Sequence, residues 1–335
     1  RAAIDDFSAS INPLGTPPEV QQTLLAALER IGDYPEIEAA SLRRELAQFH
    51  DLPEEHLLPG SGSTELIYLL PRVLRPRRAL LVLPCFSEYA PALQQAGCRI
   101  DTFYLSPDDD FAFSVPHVLA AVEDDTDLLL LANPGNPTGI GIEPRQLLTL
   151  AERLGRCRLL VDEAFVDFCP ERSVLAQVAE LPNLLVLRSL TKFYAIPGLR
   201  VGYLAAAKQD IALLSAAKEP WTLSNLAIAA AKTCLGAENY RQQTRQLIPQ
   251  LRNQLQQGLE LLGIKVYAGE ANYLLCRLPE QALRMDRIVE LLRADGLLIR
   301  NCDDFLPLDS RFFRVAVLAR DSNRQLLEKL RPILD

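Results

Sequence analysis

Two hydrophobic rhythms alternate through the first two-thirds of the chain. Short, near-continuous apolar runs cover Ala79–Leu83, Leu128–Ala132, Leu159–Val161, Leu184–Leu187 and Val201–Ala205. Runs that are apolar on both faces predict strands of a mostly parallel sheet covered on both sides. Helical spacing separates several of them, at Tyr89–Ala96 and Pro144–Leu154. The pattern is that of an α/β protein, in which ligands bind outside the carboxyl ends of the strands. Upstream, residues 1–20 carry Pro13, Gly15, Pro17 and Pro18 and read as an extended arm. Helices are predicted near Glu19–Arg30 and Ala39–Phe49, with a Gly32-Asp33-Tyr34-Pro35 turn between them.

A long, Gln-rich amphipathic helix is predicted from Asn239 to Leu262. Beyond it the rhythm becomes α+β. Strands are predicted at Lys265–Tyr267, Tyr273–Cys276, Leu297–Arg300 and Phe312–Val317. Helices are predicted at Asp286–Ala294 and Asn323–Leu330, the last stopped by Pro332. The expected organisation is an N-terminal arm (1–20), a large domain (21–238) and a smaller C-terminal α+β domain (239–335) with the arm packed near it.

Composition narrows the class. The 335 residues are 49% hydrophobic and 23% charged, with a formal charge of −8. That excludes wholesale disorder and shows none of the basic footprint of a nucleic-acid binder. No apolar run approaches membrane-spanning length. Seven cysteines without a CxxC pair, and three scattered histidines, point to neither a disulfide framework nor a metal site. Reduced thiols suit a cytoplasmic setting. Only six of the 35 basic residues are lysines, and the first is Lys192.

The candidate chemistry gathers where predicted strands end. Lys192 follows the run Leu184–Leu187 in the context Arg188-Ser189-Leu190-Thr191-Lys192. It is either a surface lysine or a nucleophilic amine beside anion-binding hydroxyls. Asp162 directly follows Leu159–Val161 and suits an N-cap or a cationic partner. Asn133-Pro134-Gly135-Asn136-Pro137-Thr138-Gly139 compresses a turn after another strand. Gly60-Ser61-Gly62-Ser63-Thr64-Glu65 precedes a helix and could present N–H groups to a phosphate, although it completes no dinucleotide or NTP fingerprint. Arg314 sits inside an apolar strand and Arg300 ends another. Each needs an internal carboxylate or a ligand anion.

Taken together, Asn-Pro-x-Asn-Pro-Thr-Gly, Asp-Glu-Ala-Phe, Ser-Leu-Thr-Lys and Gly-Leu-Arg-x-Gly, in this order and spacing, resemble the fold-type-I pyridoxal-phosphate (PLP) enzymes of the class I/II aminotransferase superfamily. The resemblance covers essentially the whole chain. It implies the aspartate aminotransferase-like fold and PLP as cofactor. It assigns Lys192 as the lysine that carries PLP and Asp162 as the partner of the pyridinium nitrogen. Asn136 would meet the phenolic oxygen, and Phe86 would stack on the ring. Ser63, Thr64, Ser189 and Arg200 would hold the phosphate. Tyr34 would reach the phosphate of a second subunit, so that a homodimer shares its sites. Arg314 would bind the substrate carboxylate. Phe165 stands where many relatives have a tyrosine.

Within the superfamily, Asp6-Phe7-Ser8-Ala9-Ser10-Ile11-Asn12-Pro13-Leu14-Gly15, the stretch 189–203, Pro220-Trp221 and Asp309-Ser310-Arg311-Phe312-Phe313-Arg314-Val315 resemble the L-threonine-O-3-phosphate decarboxylases of cobalamin biosynthesis. They resemble the histidinol-phosphate aminotransferases less. The expected substrate is a phosphorylated amino acid. Arg314 and Arg300 would anchor its anions, with Asn12 and the arm near Ser8 closing over the site. Neither nucleic acid nor membrane is an expected partner.

Overall fold

The structure, a computed structural model, describes residues 4–334. Residues 1–3 of the expected arm and Asp335 lie outside the described residues. The chain opens with a two-residue strand, β1 (Asp5–Asp6), and helices α1 (Pro18–Ala27) and α2 (Ala40–His50). The body alternates β2 (Leu57–Gly60), α3 (Gly62–Leu74), β3 (Arg78–Leu83), α4 (Tyr89–Gln95), β4 (Arg99–Tyr104), α5 (Val115–Ala120), β5 (Leu128–Ala132), α6 (Pro144–Leu154), β6 (Arg158–Asp162), β7 (Leu184–Ser189) and β8 (Gly202–Ala205). Helices α7 (Lys208–Ala217), α8 (Asn225–Gly236) and α9 (Glu238–Leu261) lead to β9 (Lys265–Tyr267), β10 (Tyr273–Arg277), α10 (Met285–Ala294), β11 (Leu297–Leu298), β12 (Arg300–Asn301), β13 (Phe312–Ala316) and α11 (Arg320–Leu334).

The central sheet has seven strands in the order β2-β8-β7-β6-β5-β3-β4. Only β8 runs against its neighbours. Side chains alternate faces along a strand. Leu129, Leu131, Leu159, Val161, Leu184 and Val186 therefore enter one apolar core, and Leu128, Leu130, Leu160, Leu185 and Leu187 enter the core on the opposite face. Burial of both faces is the reason the strands read as continuous apolar runs. A four-stranded sheet, β12-β13-β10-β9, packs one face on a third core with Phe7, Leu255, Leu259, Ile288 and Leu326. The arm joins that core: β1 pairs in parallel with β11, and Ala316 donates its N–H to Phe7 O at 2.8 Å.

Several expectations differ from this architecture. The run Leu297–Arg300 is two strands, because Leu297–Leu298 pairs with the arm while Arg300–Asn301 pairs with β13. Pro332 does not stop the last helix, which runs to Leu334; in the final turn the missing N–H costs one bond at most. Strands β2 and β4 and helices α7 and α8 carry no clean period. Helix α8 is buried along most of its length and so lacks a polar face. Among the described residues, no helix is long and apolar enough to cross a membrane.

Candidate active site

The carboxyl ends of β3, β5, β6 and β7 open onto a cavity of about 340 Å³. Its wall includes Ser8, Ser10, Ser63, Thr64, Phe86, Tyr89, Asn136, Asp162, Phe165, Lys192, Arg200, Arg300, Phe305 and Arg314. Residues separated by up to 306 positions thus converge, and four of them are cations facing one carboxylate.

Lys192 follows β7 in the loop that also holds Thr191. Its amine donates to Ser189 Oγ at 3.3 Å and lies 5.6 Å from the centre of the Phe165 ring. Burial pulls its pKa below the ordinary lysine value. Asp162 opposes that shift, and the charges of Arg200 and Arg314 add to it. An amine in this state has an enlarged neutral fraction, which nucleophilic attack on a carbonyl requires.

Asp162 is the last residue of β6 and is buried. It caps no helix, and what it accepts from is one backbone N–H and one hydroxyl. Oδ1 accepts the Ala164 N–H at 2.9 Å, and Oδ2 accepts the Tyr89 hydroxyl at 2.6 Å. Burial pushes the carboxyl above its usual range, while the Tyr89 hydrogen bond, the Lys192 charge and the Ala164 N–H act the other way. Next to it in sequence, buried Glu163 shares the buried Arg188 guanidinium with Asp167.

At the opposite wall, α3 begins at Gly62, which places Ser63 and Thr64 in its first turn. Backbone N–H groups there have no intrahelical partner and face the positive end of the helix dipole. Two glycines keep this corner open. A methyl on Gly62 would stand 2.6 Å from Arg200 Nη2, and one on Gly202 would stand 2.6 Å from Arg188 O and 2.8 Å from Ser63 N. Hydroxyls, free helix N–H groups and a guanidinium in one corner form a phosphate cradle. With the amine and buried carboxylate on the same cavity wall, the donor set fits PLP.

The far end of the cavity is built by period-two alternation on β13. Phe313 and Val315 enter the third core, so Arg314 points to the other face. Arg314 Nη1 donates to Asn136 Oδ1, and Nη2 donates to Ser8 O at 2.8 Å. Its Nε is buried without a partner. The guanidinium lies 5.1 Å from the Tyr273 ring centre, and the Tyr273 hydroxyl holds Gly135 O of the Asn-Pro loop at 2.6 Å. Arg300 stands opposite Arg314 in the β12–β13 register.

Three expected site residues are not on the wall. Asn12 spends its amide on Phe193 O at 2.8 Å and Thr244 Oγ1 at 2.9 Å, and its own N–H donates to Lys192 O. It clamps the Lys192 loop and leaves nothing for a ligand. Ser189 sits behind Lys192, its hydroxyl 2.8 Å from Thr191 Oγ1. Tyr34 is 85% exposed, 5.8 Å from the Trp221 ring, on an open surface of this chain. Tyr89, Ser10 and Phe305 are among the wall residues that escaped the sequence reading. Tyr89 follows β3 by six residues, and a tyrosine at a helix start beyond a strand end was the available signal. Ser10 has a left-handed backbone (φ 44°) and a buried Oγ without a partner. Nothing in the local sequence announces either property.

The comparisons agree with this geometry. A sequence model described as "Aminotransferase class I and II" matches residues 4–330. The chain belongs to this family, whose cofactor is PLP and whose members are enzymes. It is 38% identical to the threonine-phosphate decarboxylase of Salmonella typhimurium over 98% of this chain and 91% of that one. It is 32% identical to a histidinol-phosphate aminotransferase of Desulfitobacterium hafniense over the same shares. The crystal structure of the histidinol-phosphate aminotransferase from Clostridium acetobutylicum superimposes with a TM-score of 0.92 at 26% identity, covering 99% of both chains.

Proposed function

We propose that the protein decarboxylates L-threonine O-3-phosphate to (R)-1-aminopropan-2-ol phosphate and CO₂, as a homodimer in the cytoplasm, in cobalamin biosynthesis. The observation that carries this reading is the Arg300–Arg314 pair, two cations side by side at the end of the cavity away from Asp162. A substrate with both a carboxylate and a phosphate satisfies both; histidinol phosphate brings one anion, and the two carboxylates of its keto-acid co-substrate would occupy the pair in the other half-reaction. The 38% identity to a threonine-phosphate decarboxylase supports the same reading.

The residues divide the work as follows. Lys192 would carry the cofactor, and Asp162 would pair with its ring nitrogen. Asn136, its Oδ1 taken by Arg314, has its N–H₂ left to offer the phenolic oxygen, for which Phe165 has no donor. Phe86 would cover the ring face. Ser63, Thr64 and Arg200 would hold the phosphate, Ser189 would position the Lys192 amine, and Tyr34 would complete the site of a second copy. PLP, when bound, supplies an electron sink for the pair left at Cα. The anion anchors would decide which bond at Cα breaks. Arg314 and Arg300 would hold the substrate so that the Cα–carboxylate bond is the one released. Lys192 then returns a proton to Cα.

The test uses L-[2-²H]threonine O-3-phosphate with the PLP-loaded enzyme. Decarboxylation keeps the deuterium at the amine carbon and adds one solvent hydrogen there. Loss of the deuterium, with a requirement for a keto acid, would overturn the proposal in favour of transamination.

A further inference from the structure

Arg300 is not free. Its Nη2 donates to Asp304 Oδ2 at 2.6 Å, and its Nη1 to Asn301 O at 2.8 Å. Its guanidinium lies 5.1 Å from the centre of the Phe305 ring, which also lines the cavity. Arg314, its register partner, makes no ion pair among the described residues, and the electrostatic effect of Asp304 reaches Arg314 as well. Like charges held opposite each other on paired strands repel. One carboxylate therefore relieves the only pair of cations at this end of the cavity.

The two members of this ion pair are held differently. Arg300 keeps the Asn301 carbonyl and the Phe305 ring whatever Asp304 does. Asp304 is 52% exposed, four residues along in the β12–β13 turn. It can rotate into water without losing a buried contact. The cation is fixed and its anion is exchangeable.

We infer that Asp304 is an internal counter-anion. It occupies the Arg300 subsite between turnovers and is displaced by the outer anion of the substrate. The inference rests on the reading that Arg300 receives a substrate anion. A tethered carboxylate competes at high effective concentration. Every anion entering this subsite must first separate an existing charge-assisted pair, and every departing product is replaced by one. This cost is uniform: it weakens substrate, product and inorganic phosphate by the same factor and leaves the chemical step untouched.

The experiment is calorimetric titration of inorganic phosphate into the PLP-loaded enzyme at fixed ionic strength. With the cofactor bound, its phosphate cradle is filled, and added phosphate reads the Arg300–Arg314 end. Asp304→Asn should bind phosphate about 1.4- to 5-fold more tightly, the range measured for exposed ion pairs. Asp304→Glu should stay near wild type. KM for threonine phosphate should fall by the same factor in Asp304→Asn, with no gain in kcat. Unchanged binding would overturn the inference, because nothing is then displaced. Weaker binding would also overturn it, because Asp304 would then hold Arg300 in place for the ligand. Failure of the decarboxylase reading shows separately, as absence of CO₂ release whatever the phosphate titration gives.

Discussion

Replacing Tyr89 with phenylalanine removes a single hydroxyl from behind the site. That hydroxyl donates to Asp162 Oδ2 at 2.6 Å, and both residues are buried. The variant ring keeps its edge-on packing, 5.8 Å from Phe86, so the fold stays intact. A hydrogen bond to an ionised acceptor contributes about 1.5–3 kcal/mol. At 1.36 kcal/mol per factor of ten, kcat/KM should fall about 10- to 150-fold. The sign of the pH effect follows from the same bond. Tyr89 stabilises the carboxylate, so its loss raises the Asp162 pKa further. Protonation then sets in at higher pH. The acidic limb of the kcat/KM profile should move up, and the variant should recover part of its deficit as pH rises. Kinetics across pH, alongside absorbance titration of the bound cofactor, separate this from a folding defect. Activity within twofold of wild type, or a limb that moves down, would refute the assignment of Tyr89 as the residue that keeps Asp162 ionised.

Gly202→Ala forces a methyl against Arg188 O and Ser63 N, both backbone atoms. Overpacking of about 1–3 kcal/mol should weaken retained PLP about 5- to 150-fold, read by equilibrium dialysis; undiminished retention would show that this corner is not the phosphate cradle. His50 is pushed down to about 3 by burial and by the Arg188 charge, and its Nε2 lies 2.7 Å from the Tyr203 hydroxyl. Its folded pKa is depressed, so the unfolded chain binds the extra proton between pH 6.5 and about 3. Stability should fall through that window as pH drops, and His50→Gln should flatten the fall in urea melts. Tyr34→Ala and Lys192→Ala should each be nearly inactive alone. Mixing the two after subunit exchange should restore activity, since a mixed dimer contains one site with both residues; no recovery would show that Tyr34 serves its own subunit or none.

Much of the fold was legible because the two-face burial of β3, β5, β6 and β7 writes itself as unbroken apolar runs. Lys192, Asp162, Asn136 and the Ser63-Thr64 pair were legible because each follows a strand or opens a helix, where α/β chemistry collects. Strand β4 was not, since at the sheet edge none of its residues is fully buried and the exposed and half-buried positions do not alternate cleanly. Asn12 was misplaced for a physical reason: an asparagine beside a site looks like a ligand group until its amide is seen spent on Phe193 O and Thr244. Tyr89, Ser10 and Asp304 depend on long-range placement or on a turn's geometry, and local spacing carries neither.

The central claim is that the anchors at Arg300 and Arg314 present the Cα–carboxylate bond for cleavage. The most direct measurement is release of labelled CO₂ from carboxyl-labelled L-threonine O-3-phosphate by the PLP-loaded enzyme with no keto acid present. Many turnovers, with stoichiometric amine phosphate, are the predicted result. No labelled CO₂, together with turnover of histidinol phosphate and 2-oxoglutarate, would contradict it.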